Sequence, residues 1–242
     1  SFDGRTIAVV IGAALIGFMA YWVLSAFSPQ LSSGQNGGAH GLSRGATGYS
    51  ALVELLRASG TPIQINRTGE PQAGLLIVTP PPQPGSDTLT NVIEAHVDGE
   101  ILIVLPKWDT MADPDRRGWV RRMGIDTDRR LLTQEPLQLR GQLGAASAGN
   151  DPRLAGWASV QAWQGTGVEP IVVAADGRIV VGRLTARREV LILFDADLIA
   201  NHGIGERQRA LSAVRLIRSL ADGRGVIVDV GLNGLGAGRS VL

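Results

Sequence analysis

Two aspartates, an asparagine and a histidine lie close together in residues 194–205. Asp195 and Asp197 directly follow an apolar run, and Asn201 and His202 come shortly after them. Carboxylates beside an imidazole are typical of divalent-cation sites and of general acid–base catalysis. The same residue types also end strands and form turns without any further role. We treat these four residues as binding candidates and assign no catalytic residue, no metal ligand and no cofactor.

Three further candidates lie at the ends of predicted strands. Lys107, the only lysine of the chain, and Trp108 follow Pro106. An ammonium beside an indole is suited to hold an anion or to stack on a partner, although the same pair also fits an exposed rim. Asp229 lies in the last apolar run. The glycines at 231, 234, 236 and 238 lack the G-x-G-x-x-G spacing that opens a dinucleotide-binding helix.

The composition excludes several classes of protein. The 242 residues carry 23 basic and 22 acidic side chains, so the formal net charge is +1. A protein that binds nucleic acid through bulk charge needs a clear basic excess, so this class is excluded. The apolar fraction of 44% supports a folded core. The absence of cysteine excludes disulfides, thiolate metal sites and cysteine nucleophiles.

The spacing of apolar residues predicts an α/β domain over residues 43–236. Strands are predicted at 62–66, 75–79, 101–105, 171–175, 178–181, 190–194 and 225–230, and helices at 47–60, 87–97, 118–124 and 206–220. Ser43 and Thr47 are predicted to cap the first helix. The Asp176-Gly177 pair predicts an antiparallel hairpin, and residues 109–167 predict an irregular subdomain.

The alternation of strands and helices predicts a flavodoxin-like, mostly parallel sheet with that hairpin added. Such sheets gather their ligand-facing loops at the carboxyl ends of the strands. The loops expected there are residues 80–85, 106–110, 195–205 and 231–238.

The N-terminal residues predict a membrane anchor. The uncharged apolar run 7–27 reaches about 30 Å as a helix, which matches a bilayer core. It is longer than the apolar region of a cleaved signal peptide, so we expect an uncleaved anchor. Arg5 precedes the run and no basic residue follows it before Arg44, which predicts a cytoplasmic N terminus and a periplasmic domain. Residues 28–42, rich in Gly and Ser, are predicted to be a flexible linker.

Three stretches, GLSRGATGYSALVELLRASG, LFDADLIANHGIG and GVIVDVGLNGLG, resemble a family of bacterial membrane-anchored proteins with a domain of unknown function. Genes of that family often lie beside those of MoxR-type AAA ATPases and von Willebrand factor A proteins. The resemblance implies a flavodoxin-like or class I glutamine-amidotransferase-like sheet and integral membrane proteins as partners. It also implies a second membrane helix after the domain, towards which residues 237–242 lead.

The chain departs from that family after the last strand. The family tends to carry an acidic pair followed by histidines there, whereas here Asp229 is followed by VGLN, and only Asp229 and Gly234 match. The departure puts a shared metal or acid–base site in doubt. The absence of cysteine also excludes glutaminase activity of the usual kind.

Together these features predict a non-enzymatic binding or scaffold domain on the periplasmic side of the bacterial inner membrane, within a MoxR-linked membrane system. Its expected partners are the lipid bilayer, through residues 7–27, and integral membrane proteins. Two alternatives stay open. One is a divergent metal-dependent hydrolase that uses Asp195, Asp197 and His202, with Asp229 as a further acid. The other is an accessory subunit of a larger membrane complex.

Overall fold

The computed structural model describes residues 10–22, 37–70, 72–81, 86–116, 119–126, 130–133 and 135–236. The helices are α1 (10–22), α2 (Ser50–Ala58), α3 (Ser86–Ala95), α4 (Arg130–Thr133) and α5 (Arg207–Ala221). The strands are β1 (Ile63–Asn66), β2 (Leu75–Val78), β3 (Ile101–Val104), β4 (Trp108–Ala112), β5 (Val120–Ile125), β6 (Arg140–Ser147), β7 (Ser159–Thr166), β8 (Val168–Val173), β9 (Ile179–Leu184), β10 (Val190–Leu193) and β11 (Val226–Asp229). Short helical turns lie at Pro152–Leu154, Ala196–Leu198, Gly203–Gly205 and Gly231–Leu235.

A nine-stranded sheet forms the centre of the domain. Its strands follow the order β1-β11-β2-β3-β10-β9-β7-β6, and β8 pairs with β9. The first five strands are parallel, and the others pair antiparallel. This arrangement confirms the mixed α/β fold, and β8 and β9 form the predicted hairpin. When the five parallel strands are numbered by their order in the chain, they lie in the sheet as 1-5-2-3-4, whereas the strands of flavodoxin lie as 2-1-3-4-5. The likeness to flavodoxin is therefore loose.

Two apolar cores cover the two faces of the sheet, because successive side chains of a strand point to opposite faces. Leu75 and Ile77 of β2 belong to the first core, with α2 and α5, and Leu76 and Val78 belong to the second, with α3 and α4. Strands β3 and β10 alternate in the same way. The helices predicted at 47–60, 87–97 and 206–220 form as α2, α3 and α5.

The predicted helix at 118–124 is wrong over its described residues. Residues 120–125 form β5, which pairs antiparallel with β4 from Ala112↔Val120 to Trp108↔Ile125. Gly124 weakens a helix at this place, and β4 pairs with this segment through a register shift between Asp109 and Thr110.

The segment predicted to be irregular contains two long strands. β6 and β7 pair from Arg140↔Thr166 to Ser147↔Ser159. The two strands contain many small residues. They were not predicted, because strands are usually recognised by their β-branched side chains. Gly141 and Gly165 make room for Trp163, since a Cβ at either glycine would lie 2.6 Å from Cζ2 of that indole. Trp163 is buried and stacks on Phe194, with 5.5 Å between the ring centroids.

At the N-terminal side, α1 covers residues 10–22 of the predicted membrane span. Within the described ranges, no helix combines the length and the apolar character needed to cross a bilayer. Residues 7–9 and 23–27 of that span, 28–36 of the predicted linker and the lead at 237–242 lie outside the described residues. Residues 37–42, also assigned to the linker, are part of the domain. His40 is 1% exposed, and a Cβ at Gly41 would meet the side chain of Val228.

Candidate functional site

A cavity of about 330 Å³ opens at the carboxyl ends of the parallel strands. All four predicted loops contribute to its wall, which confirms that they converge. A fifth segment, within residues 38–49, completes the wall and was not predicted. The lining residues are Gly38, Ala39, His40, Thr47, Tyr49, Pro80, Pro81, Pro106, Lys107, Trp108, Thr110, Ala196, Asp197, Ala200, Leu232 and Asn233.

Lys107 lies between two buried carboxylates. Its Nζ is 2.7 Å from Oδ1 of Asp195 and 2.6 Å from Oδ2 of Asp197. Strands β3 and β10 are parallel neighbours with Leu193 opposite Val104, so the residues that follow them emerge side by side. The lysine side chain is 13% exposed, and the carboxylates are 1% and 9% exposed. The ammonium therefore neutralises carboxylates that the sequence had marked as potential cation ligands.

Asp195 is held by donors on both carboxylate oxygens. Its Oδ2 accepts a hydrogen bond from the Gln161 backbone amide at 2.7 Å, and its Oδ1 accepts from the Asp197 amide at 3.1 Å as well as from Lys107. Burial raises the pKa of Asp195, and the nearby Lys107 ammonium opposes that rise. Each of these partners donates, so the arrangement suits the ionised carboxylate.

Asp197 accepts from three side chains. Trp108 donates its indole N–H at 2.6 Å, His202 approaches through Nε2 at 3.0 Å, and Lys107 completes the set. Burial disfavours the charged carboxylate, but these hydrogen bonds outweigh burial and lower the pKa of Asp197 to about 2. The guanidinium of Arg122 stacks over the Trp108 ring, 4.6 Å from its centroid.

His202 faces an acceptor on each ring nitrogen. Nε2 meets Asp197, and Nδ1 lies 2.8 Å from the carbonyl oxygen of Ala46. A carbonyl and an ionised carboxylate only accept hydrogen bonds, so this geometry favours the protonated ring, in which both nitrogens donate. The hydrogen bond to Asp197 accordingly raises the pKa of His202. In this arrangement His202 has no lone pair for a metal ion or for a proton from a substrate.

Asn201 joins two parts of the cavity wall. Its side-chain amide donates to the carbonyl oxygens of Ser43 at 2.9 Å and Gly45 at 2.7 Å, and its Oδ1 accepts from the amide of Ala51. Asn201 therefore fixes the segment before α2 to the loop after β10. It supports the site without lining the cavity.

Asp229 does not join the other candidates. It shares a face of β11 with Ile227, which belongs to the second core, whereas Asp195 continues the face of Leu191 and Leu193 in the first core. Strand parity therefore sends the two carboxylates to opposite faces. Asp229 lines a separate cavity next to α3.

Thr47 is a site residue whose role the sequence did not reveal. It was predicted as a helix cap, but α2 begins after Tyr49 and has no side-chain cap. Thr47 is 5% exposed and lines the cavity, and its Oγ1 has no hydrogen-bond partner. A buried hydroxyl without a protein partner is available to form a hydrogen bond with a molecule in the cavity.

Residues 41–45 have the G-x-S-x-G spacing of a nucleophile elbow, but the sequence predicts no strand before them, so no elbow is expected. The structure agrees. Ser43 is fully buried, its Oγ accepts a hydrogen bond from the Gly45 amide at 3.2 Å, and residues 37–42 before it form no strand.

The described residues contain no group of three or more His, Asp or Glu side chains placed to hold a metal ion. In comparisons with known proteins, no family model matches the chain and no curated protein is significantly similar to it.

Proposed function

We propose that this chain is a ligand-binding domain rather than an enzyme, with the ligand in the cavity at the carboxyl ends of the strands. The observation that carries the proposal is the closed quartet of Lys107, Asp195, Asp197 and His202. Two positive and two negative groups satisfy one another there. A general base or a nucleophile needs an accessible lone pair, whereas donors already occupy most acceptor sites of Asp195 and Asp197, and the Lys107 ammonium has no lone pair.

The wall of the cavity indicates the chemistry of the ligand. Apolar surface comes mainly from prolines, alanines and Leu232. The quartet adds no net charge, and Thr47 offers one unsatisfied hydroxyl. These features favour an uncharged molecule, or an uncharged segment of a partner, that carries at least one hydrogen-bonding group.

We further propose that the domain is tethered to the bacterial inner membrane by a single N-terminal span at residues 7–27, with the domain in the periplasm. The apolar run and the position of Arg5 support this part of the proposal. The resemblance of the three sequence stretches supports integral membrane proteins of a MoxR-linked system as partners, and a flavodoxin-like origin for the sheet.

The ligand proposal is tested by NMR with the full chain in detergent micelles. The indole N–H of Trp108 is the reporter, because it donates to Asp197 at the edge of the cavity, and a Trp108→Phe variant assigns its signal. Uncharged fragments are titrated into the wild type and into Thr47→Val. We expect saturable shifts of the Trp108 signal and weaker binding by Thr47→Val, by about three- to tenfold, because one hydrogen bond is lost.

Fragments that shift the Trp108 signal equally in both proteins would refute the assigned role of Thr47. Substrate turnover that disappears in Asp197→Asn would instead establish the hydrolase alternative.

The tether proposal is tested by fractionation of bacterial membranes. Wild type and Gly17→Leu should stay in the membrane through an alkaline carbonate wash. Gly17→Arg should be depleted there, because a central arginine costs about 2.5–3.5 kcal/mol in a membrane helix. Recovery of the wild type in the aqueous fraction would contradict the anchor. Stable copurification with several membrane proteins in mild detergent would favour the accessory-subunit alternative.

A further inference from the structure

Asp229 is a buried carboxylate without a cation. It is 3% exposed, and its Oδ1 accepts a hydrogen bond from the Leu232 amide at 3.1 Å. Within the described part of the chain, no Lys, Arg or His forms an ion pair with it. An isolated buried charge is costly, so proteins pair such a group or shift its pKa, and burial raises the pKa of Asp229. The two aspartates of the other cavity are paired in this way, and Asp229 is not.

Asp229 lines a second cavity, of about 210 Å³, whose described lining includes the carboxyl groups of Asp229 and Glu70. Oε1 of Gln72 is buried there without a hydrogen-bond partner, and Glu70 lies exposed at the rim. His96 donates from Nε2 to the Gly74 carbonyl at 3.1 Å, and burial lowers its pKa. None of the described lining residues is a lysine or an arginine.

The floor of this second cavity is apolar. Leu76 and Ile227 are 4% and 2% exposed, and the half-buried Val92 of α3 forms one side. Oδ1 of Asn66 is already engaged in the turn after β1, where it accepts hydrogen bonds from the backbone amides of Thr68 and Gly69. Among the described residues, no three His, Asp or Glu side chains are grouped here to hold a metal ion. An alkyl chain fits the floor, and an ammonium fits the acceptors.

We propose that this cavity binds a small organic ammonium ion. Its charged nitrogen donates to Asp229 and to Oε1 of Gln72, and its short alkyl chain packs on Leu76, Ile227 and Val92. The site is independent of the first cavity, since the two share no lining residue.

The test uses n-butylammonium and its neutral analogue n-butanol as probes, with the full chain in detergent micelles at constant ionic strength. Binding is followed by the NMR methyl signals of Leu76 and Ile227. We expect n-butylammonium to bind saturably, with a dissociation constant of about 1 mM, and n-butanol at least about tenfold more weakly. This comparison needs no variant, so it is unaffected by any loss of folding.

Three variants locate the site. Asp229→Asn keeps the shape but removes the charge, and it should weaken n-butylammonium binding at least about tenfold. Val92→Phe fills the cavity and should abolish binding. Asp98→Asn makes the same change in net charge at a carboxylate that is 61% exposed, and it should leave the affinity within about twofold. Equal affinity for the two probes, undiminished binding by Asp229→Asn, or the absence of methyl shifts at Leu76 and Ile227 would overturn the proposal.

Discussion

Replacing Lys107 with methionine keeps most of the length of the side chain but removes the ammonium between Asp195 and Asp197. The carboxylates that remain are 1% and 9% exposed, so solvent compensates little for the lost cation. Removing one partner of a buried ion pair typically costs about 3–5 kcal/mol. We therefore expect Lys107→Met to lower the free energy of unfolding by about that amount, measured by equilibrium urea unfolding with tryptophan fluorescence.

The matched control is Arg224→Met, which removes a cation of similar contact distance at the surface. Arg224 lies 2.8 Å from Asp98, with the two side chains 54% and 61% exposed. Exposed pairs contribute about 0–1 kcal/mol, so this variant should stay close to the wild type. Adding Asp195→Asn to Lys107→Met should recover part of the loss, because it removes one stranded charge. Equal losses of stability in Lys107→Met and Arg224→Met, or no recovery from adding Asp195→Asn, would refute the role of the buried ion pair.

Three further predictions concern residues in or next to the wall of the first cavity. Thr47→Val should raise the free energy of unfolding by about 1 kcal/mol, because it removes an unsatisfied hydroxyl, whereas Thr79→Val, whose hydroxyl contacts Asn233, should lower it by a similar amount in urea unfolding. Gly203→Ala should cost about 1–3 kcal/mol, because its Cβ would overlap the Asp197 carbonyl oxygen, whereas Gly205→Ala has open space and should shift the melting temperature little. The pKa of His202 is raised above its ordinary 6.5, so its pairing stabilises the fold fully below about pH 6.5 and is lost as the pH rises through the folded-state pKa. His202→Gln should flatten that part of a stability–pH curve; an unchanged curve would contradict the imidazolium assignment.

Much of the fold could be predicted from the sequence. The apolar runs at 101–105 and 190–194 identify strands covered on both faces, and helical spacing identifies α2, α3 and α5, because both patterns are local. The convergence of four loops at one edge follows from parallel strand direction alone. The pairing of β6 with β7 could not be predicted, because its small residues are required by Trp163, whose position depends on the whole second core.

The candidate site could be predicted only in part. Residue type and position at strand ends identified five residues that contact one another in the structure: Lys107, Trp108, Asp195, Asp197 and His202. Their ion pairs and hydrogen bonds could not be predicted, because these depend on contacts between distant parts of the chain. The ammonium of Lys107 reaches across 88 positions, and the imidazole of His202 reaches an oxygen 156 positions away. The separation of Asp229 follows from strand parity once the face of β11 is known.

The chain enters the domain through the wall of the first cavity. Residues 38–49 form part of that wall, and the carbonyl oxygen of His40 accepts hydrogen bonds from the amides of Ser43 and Tyr49. The side chain of Asn201 fastens the same segment to the loop after β10. Traction at residue 37 would therefore load these hydrogen bonds in the wall of the first cavity. A ligand bound there, as proposed, would act on the same few hydrogen bonds.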